Sequence, residues 1–238
     1  MHTTVNKSAL NRTVQLIYVM GILSTIVVVA GLYWLVTYIL PDPLPMHDAV
    51  AHIRQSPLLY KAIAIVFALS TLPIMWQSGE TLARLWHADS SPRRRLSWIA
   101  TVSELIFFAA FFVGIGLAAT AIQLHPHTSD DVVWGLFGAS AITIALCGLL
   151  WIPFGVAALT ISLGDKVFPS WLNAVLLIAV IMNAFGFCGM FTLEGLFNPF
   201  NGAIAAGLPF YGPSTFIIMS LAWGLAENAK DAAQTPSR

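Results

Sequence analysis

The stretch SWIATVSELIFFAAFFVGIGLAATAIQL, residues 97–124, carries a single charge, Glu104. A carboxyl group in such a run can hold a proton, orient a ligand or anchor a hydroxyl network. Helical spacing sets Ser97, Thr101 and Glu104 on one face. Glu104 lies seven residues past Ser97, about 10 Å along a helix axis. A charge at the centre of a bilayer helix costs about 2.5–3.5 kcal/mol, and less toward the ends. The polar face is therefore expected to turn into the protein, toward Ser24, Thr71 and Ser220, hydroxyls expected at similar depth on other helices. Glu104, Thr101, Ser24, Thr71 and Ser220 together form a candidate ligand-binding site. The alternative is a structural glutamate, hydrogen-bonded to nearby hydroxyls or reaching an arginine. Phe107, Phe111, Phe112 and Leu117 would then be left to face lipid.

A second set of residues could bind metal. His47, Asp48, His52, His125, His127 and Asp130 fall in two short polar segments. Asp48 and His52 are four apart, and HPHTSDD at 125–131 brings two imidazoles and two carboxylates within seven residues. Imidazole with carboxylate suits zinc, copper or iron. The competing reading is a pair of solvated loops, because no HExxH motif or zinc-type cysteine spacing accompanies them. No phosphate-cradling glycine loop, GxSxG motif or Ser/His/Asp order is present. No histidine lies in a helix core, which disfavours a b-type haem, and Lys61 alone among the lysines lies in a span, near its start. Cys147 and Cys188 fall within spans and read as small apolar residues rather than a disulfide. The residues thus assign no cofactor.

The elements that must position these groups are long apolar helices. The chain is 58% hydrophobic and 9% charged, against about 25% charged in soluble domains. Apolar runs at 14–40, 58–78, 97–124, 132–162, 170–192 and 203–226 each reach the length of roughly 20 residues that a bilayer core requires. The fold class expected is an all-α bundle of six transmembrane helices in one domain, 1–226, with an unstructured cytoplasmic tail at 227–238. Nine of the eleven basic residues, among them Arg84, Arg93, Arg94, Arg95 and Lys166, fall on one side of that arrangement; Arg54 and Lys61 fall on the other. The positive-inside rule then sets both termini in the cytoplasm.

Between the first two runs, PDPLPMHDAVAHIRQSP at 41–57 predicts a short amphipathic helix. Met46, Ala49, Val50 and Ile53 share one face, and Asp48, His52 and Gln55 share another. The segment 195–213 is rich in Gly, Pro, Asn and aromatics, and it opens the sixth run with either a kinked or a re-entrant helix. Trp34, Trp76, Trp98, Trp134, Trp151, Trp171 and Trp223 read mostly as interfacial anchors.

DKVFPSWLNAV at 165–175 followed by NPFNGAIAAGLPF at 198–210 resembles an uncharacterised group of bacterial multi-pass membrane proteins. That group carries a pattern close to V-F-P-R-W-L-G-Y-L-N and then G-P-F-A-W-N-G. Val167, Phe168, Pro169, Trp171 and Leu172 match, as do Pro199, Phe200, Asn201 and Gly202; Ser170 and Asn173 depart from it. The resemblance implies six helices in a bacterial plasma (inner) membrane and no particular activity. Three functions stay open on the sequence: binding or transport of a small apolar molecule, a metal-dependent membrane enzyme, and an accessory subunit of a larger membrane complex. The partners expected are the lipid bilayer, a small hydrophobic molecule or other membrane subunits, and no nucleic acid.

Overall fold

The computed structural model describes residues 7–34, 46–191, 195–197, 204 and 207–234, with side chains placed at 15–31, 50–191, 196–197, 204 and 207–227. All regular structure among them is helical: α1 (Lys7–Trp34), α2 (Met46–Gln55), α3 (Pro57–Ala88), α4 (Arg95–Leu124), α5 (Asp130–Asp165), α6 (Ser170–Ala184) and α7 (Leu208–Gln234), with short 3₁₀ turns between some of them. Among the described residues four helices are long and apolar enough to cross a membrane, at Pro57–Ala88, Pro92–Leu124, Asp130–Asp165 and Ser170–Met190; Gln15–Gly31 is a shorter apolar stretch. α5 alone, with 36 residues, is about 54 Å long and exceeds the bilayer core.

The six long helices close into a ring. α1 packs on α3, α3 on α4, α4 on α5, α5 on α6, α6 on α7, and α7 back on α1. The outside of the ring is apolar: Leu23 and Ile26 on α1, Ile65, Leu69 and Leu72 on α3, Leu105 and Val113 on α4, and Ile178 and Ile181 on α6 are all exposed. An apolar surface of that extent suits lipid, not water.

Close helix contacts depend on small residues. A Cβ added at Gly114 on α4 would meet Ile144 Cγ1 of α5 at 2.6 Å, and one at Gly155 on α5 would collide with Val180 of α6. Ser140 of α5 donates to the Gly114 carbonyl at 2.7 Å across the same interface.

Pro153 lies inside α5 and cannot donate to the carbonyl one turn back. Another helix braces the adjacent turn. The Phe154 N–H donates to Ser103 Oγ of α4 at 3.1 Å, and the same hydroxyl donates to the Leu150 carbonyl. One hydroxyl of α4 is thus bonded to both ends of the Leu150–Phe154 turn.

The connection from α3 to α4 is built around Asp89. Its carboxylate accepts from the Ser91 N–H at 2.9 Å, the Ser97 N–H at 2.8 Å and the Ser97 hydroxyl at 2.7 Å. Burial pushes this carboxyl group up, but those hydrogen bonds outweigh it and hold it at about 2. The cap supports a costly turn, since Arg93 and Arg94 both adopt left-handed backbone at φ 58° and 54°. Ser90 bonds Asp165 at the end of α5, so Arg93, Arg94, Arg95 and Lys166 gather at one end of the ring.

Several sequence expectations shift. The amphipathic helix forms as α2, with Val50 and Ile53 buried and His52 and Gln55 exposed. The fifth run leaves α-geometry at Phe185 and continues as a 3₁₀ turn to Met190. α7 runs on to Gln234, so residues 227–234 are helical rather than unstructured. Trp151 is 2% exposed, packed against Phe154 and Phe216 in the core, and is no interfacial anchor. Phe107 and Phe111, expected to face lipid, are half-buried and line the cavity described below. A re-entrant start at 198–203, the group-matching Pro199, Phe200, Asn201 and Gly202, and Trp34's side chain lie outside the described residues.

Ser103→Ala removes the hydroxyl that bonds Leu150 and Phe154 of α5, a loss of about 1 kcal/mol. The variant is expected to melt below the parent in detergent. Thr101→Ala removes only a hydroxyl that donates to its own helix at Ser97 and is expected to melt close to the parent.

Candidate functional site

Glu104 is 4% exposed and faces α3. Its partner is Ser78, whose hydroxyl donates to Oε1 at 2.7 Å; Oε2 is buried without a partner. The sequence reasoning had aimed it at Ser24, Thr71 or Ser220, and none of these is its partner. Thr71 donates to the Phe67 carbonyl of its own helix, and Ser220 to Ile217. Thr101 donates to Ser97. Ser24 is half-buried on α1.

Beside Glu104 lies a second buried polar group that the sequence reasoning missed. Gln77 donates through Nε2 to Thr81 at 3.3 Å and to Ser220 at 3.4 Å, and its Oε1 is unpartnered. A void of about 10 Å³ adjoins it, lined by Tyr18, Arg84, Phe168 and Trp223 among others, which is room for about one water molecule. Arg84 closes this cluster: it donates to the Tyr18 hydroxyl at 2.7 Å and its guanidinium stacks 5.2 Å from the Trp223 ring. The cluster ties α1, α3 and α7 together, and Ser78, next to Gln77 in the chain, separately joins α3 to Glu104 of α4. The polar letters QSGET after Trp76 were the available signal, but their register toward the bundle could not be read without the neighbouring helices.

The principal cavity lies elsewhere. It has a volume of about 220 Å³, is partly open, and is lined by α1, α3, α4, α5 and α7. Phe67, Phe107, Phe108, Phe111, Phe137 and Ile144 give it an apolar, largely aromatic wall. Of the five candidate ligand residues only Thr71 reaches it; Glu104, Thr101, Ser24 and Ser220 do not line it. α6 contributes no lining and sits behind α5 and α7.

The polar groups in the wall are mostly committed. Thr25 donates to Gly21, Thr71 to Phe67 and Ser214 to Phe210, each to a carbonyl one turn back. Ser140 donates to Gly114 and Cys147 to Thr143. Tyr60 differs: it is 3% exposed, and its hydroxyl has no partner.

Among the described residues no three of His, Cys, Asp and Glu come together. Asp130 forms an ion pair with Arg54, the His125 ring bonds the Ile122 carbonyl, and His52 and His127 are exposed. The side chains of His47 and Asp48 lie outside the described residues. Among the described side chains, the Arg54–Asp130 pair joins α2 to α5. Cys147 and Cys188 are free thiols.

No known protein family matches the chain, and no curated protein or solved structure is significantly similar to it. The class of protein rests on the fold and the apolar surface: a helical protein with membrane-spanning helices and an apolar internal cavity.

Glu104→Gln keeps an acceptor for Ser78 and removes a buried ionisable group. It is expected to melt at or above the parent temperature in detergent. Glu104→Leu strands the Ser78 hydroxyl and is expected to lose about 1 kcal/mol. A marked loss with Gln would mean that the carboxylate charge itself supports the fold.

Proposed function

We propose that this is a six-span integral membrane protein that binds a small apolar molecule in its central cavity. The observation that carries the reading is the cavity wall: five helices supply it, and its side chains are apolar or already hydrogen-bonded apart from Tyr60. Small-residue contacts elsewhere show that this chain packs helices closely where it does so at all. A void of about 220 Å³ is larger than the roughly 150 Å³ apolar cavity that binds benzene in an engineered protein. It suits a ring with a short substituent.

The spans run with both termini on the cytoplasmic side. The support is the clustering of Arg93, Arg94, Arg95 and Lys166 at the Asp89 end, opposite Arg54 and Lys61. The resemblance at 165–175 and 198–210 supports a bacterial plasma membrane as the location. A reporter fused after Arg238 is expected to be active only in the cytoplasm, and activity restricted to the other side would overturn the topology.

Binding is tested in proteoliposomes with 3-trifluoromethyl-3-phenyldiazirine, a small apolar photoprobe. Saturable labelling is expected on peptides carrying Phe108, Phe111 and Ile144, above the unsaturable labelling of lipid-facing residues. Ala141→Phe, which fills the cavity from α5, is expected to abolish the saturable component alone. Labelling that never saturates in the parent would refute cavity binding.

A further inference from the structure

A charged patch stands apart from the cavity, at the end of the ring built around Asp89. Arg93, Arg94, Arg95 and Lys166 are all exposed there. The Ser90 hydroxyl bonds Asp165 at 3.2 Å, so the α3–α4 turn lies beside the end of α5 and the Lys166 that follows it. Asp165 is exposed, and its carboxylate already accepts from Ser90. Asp89 is buried and occupied by Ser91 and Ser97. Among the described side chains none of the four cations forms an ion pair.

The backbone separates this patch from a plain orientation signal. A topogenic charge needs only to lie near a helix end. Arg93, Arg94 and Lys166 are instead the three non-glycine residues, among the described ones, held in left-handed backbone, at φ 58°, 54° and 55°. That conformation is costly for a residue with a Cβ and free for glycine, yet a cation stands at each position. A ring contact places one of them: the Arg94 guanidinium lies 5.8 Å from the Trp86 ring, which packs edge-on against Trp98 at 5.1 Å. Arg95, Trp98, Val102 and Leu105 recur at i, i+3, i+7 and i+10 and so share one face of α4. All four are exposed. From the turn inward, that face offers a cation, an indole and then hydrocarbon, the order in which a phospholipid sets its phosphate, its interface and its acyl chain.

We propose that an anionic phospholipid docks along this face of α4, with its phosphate held by Arg94 and Arg95 and an acyl chain against Trp98, Val102 and Leu105. Guanidinium groups suit the role because their planar fork bonds two phosphate oxygens at once. Arg93 and Lys166 add positive potential at the same end, which favours a lipid of net negative charge over a zwitterionic one of the same chain length. The site is independent of the cavity, since none of these residues lines it. It requires only that the helices span a bilayer, so either proposal can fail alone.

The test measures the affinity of the first lipid bound by the full chain in detergent, by native mass spectrometry, with dioleoyl phosphatidylglycerol and dioleoyl phosphatidylcholine as probes. The two share their acyl chains and their phosphate and differ in headgroup charge. The parent is expected to prefer phosphatidylglycerol, and the preference is expected to shrink as salt is raised. Each arginine near a membrane surface is worth about fivefold in affinity. Arg94→Gln combined with Arg95→Gln is therefore expected to weaken phosphatidylglycerol binding about twenty-five-fold and to change phosphatidylcholine binding far less. Lys61→Gln, which removes an exposed cation on α3 at the opposite end, is expected to bind as the parent does. Unchanged phosphatidylglycerol binding in the double variant overturns the proposal. An equal loss in Lys61→Gln does so too, because the attraction would then belong to the whole chain's charge. Displacement of the lipid by inorganic phosphate at constant ionic strength would mark a free-phosphate site and overturn the lipid assignment. Should the double variant not fold, the parent decides: no preference for phosphatidylglycerol, or one indifferent to salt, overturns the proposal.

Discussion

Most polar side chains in this protein are governed by one constraint: an apolar medium offers a donor or acceptor nothing, so each must find its partner inside the chain. The hydroxyls answer it in two ways. Thr25, Thr71, Thr101, Thr160 and Ser214 donate to the carbonyl one turn back on their own helix. Ser78, Ser103 and Ser140 reach a different helix instead. The first kind satisfies a group and leaves the helix free to pack anywhere. The second kind fixes one helix against another, and all three of these serines act between α3, α4 and α5.

The exceptions to that constraint divide into two regions. At the Asp89 end, Gln77 Oε1 lacks a partner within a cluster that also holds Thr81, Arg84 and Tyr18, and Glu104 Oε2 lacks one beside Ser78. At the α2 end, Tyr60 lacks one inside an otherwise apolar wall. The two settings differ in chemistry. The first is small and polar, and its void suits water. The second is large and aromatic. Glu104, the conspicuous carboxylate, does not line the second.

That contrast also explains what the sequence disclosed. Long apolar runs, the amphipathic α2 and the inward turn of Glu104 could be read from periodicity and charge, because a misplaced polar residue is expensive in either environment. The cavity wall could not be read. Phe107 and Phe111 look the same in sequence whether they face lipid or a void, as both surroundings are apolar. Trp151 reads in the sequence as an interfacial ring, although Gly155 and the neighbouring alanines of α5 make room for it in the core. The inward turn of Glu104 is legible and its hydroxyl partner is not, because depth along a helix can be read and the rotational setting of its neighbours cannot.

The Ser103 bridge has a consequence for how the chain becomes a membrane protein. Pro153 removes one donor from the ladder of α5, and the Ser103 hydroxyl of α4 bonds the next turn at both Leu150 and Phe154. The two helices are joined by just the residues between Leu124 and Asp130, so the bracing group arrives with its own hairpin. A swap of α4 between related chains would take that brace with it.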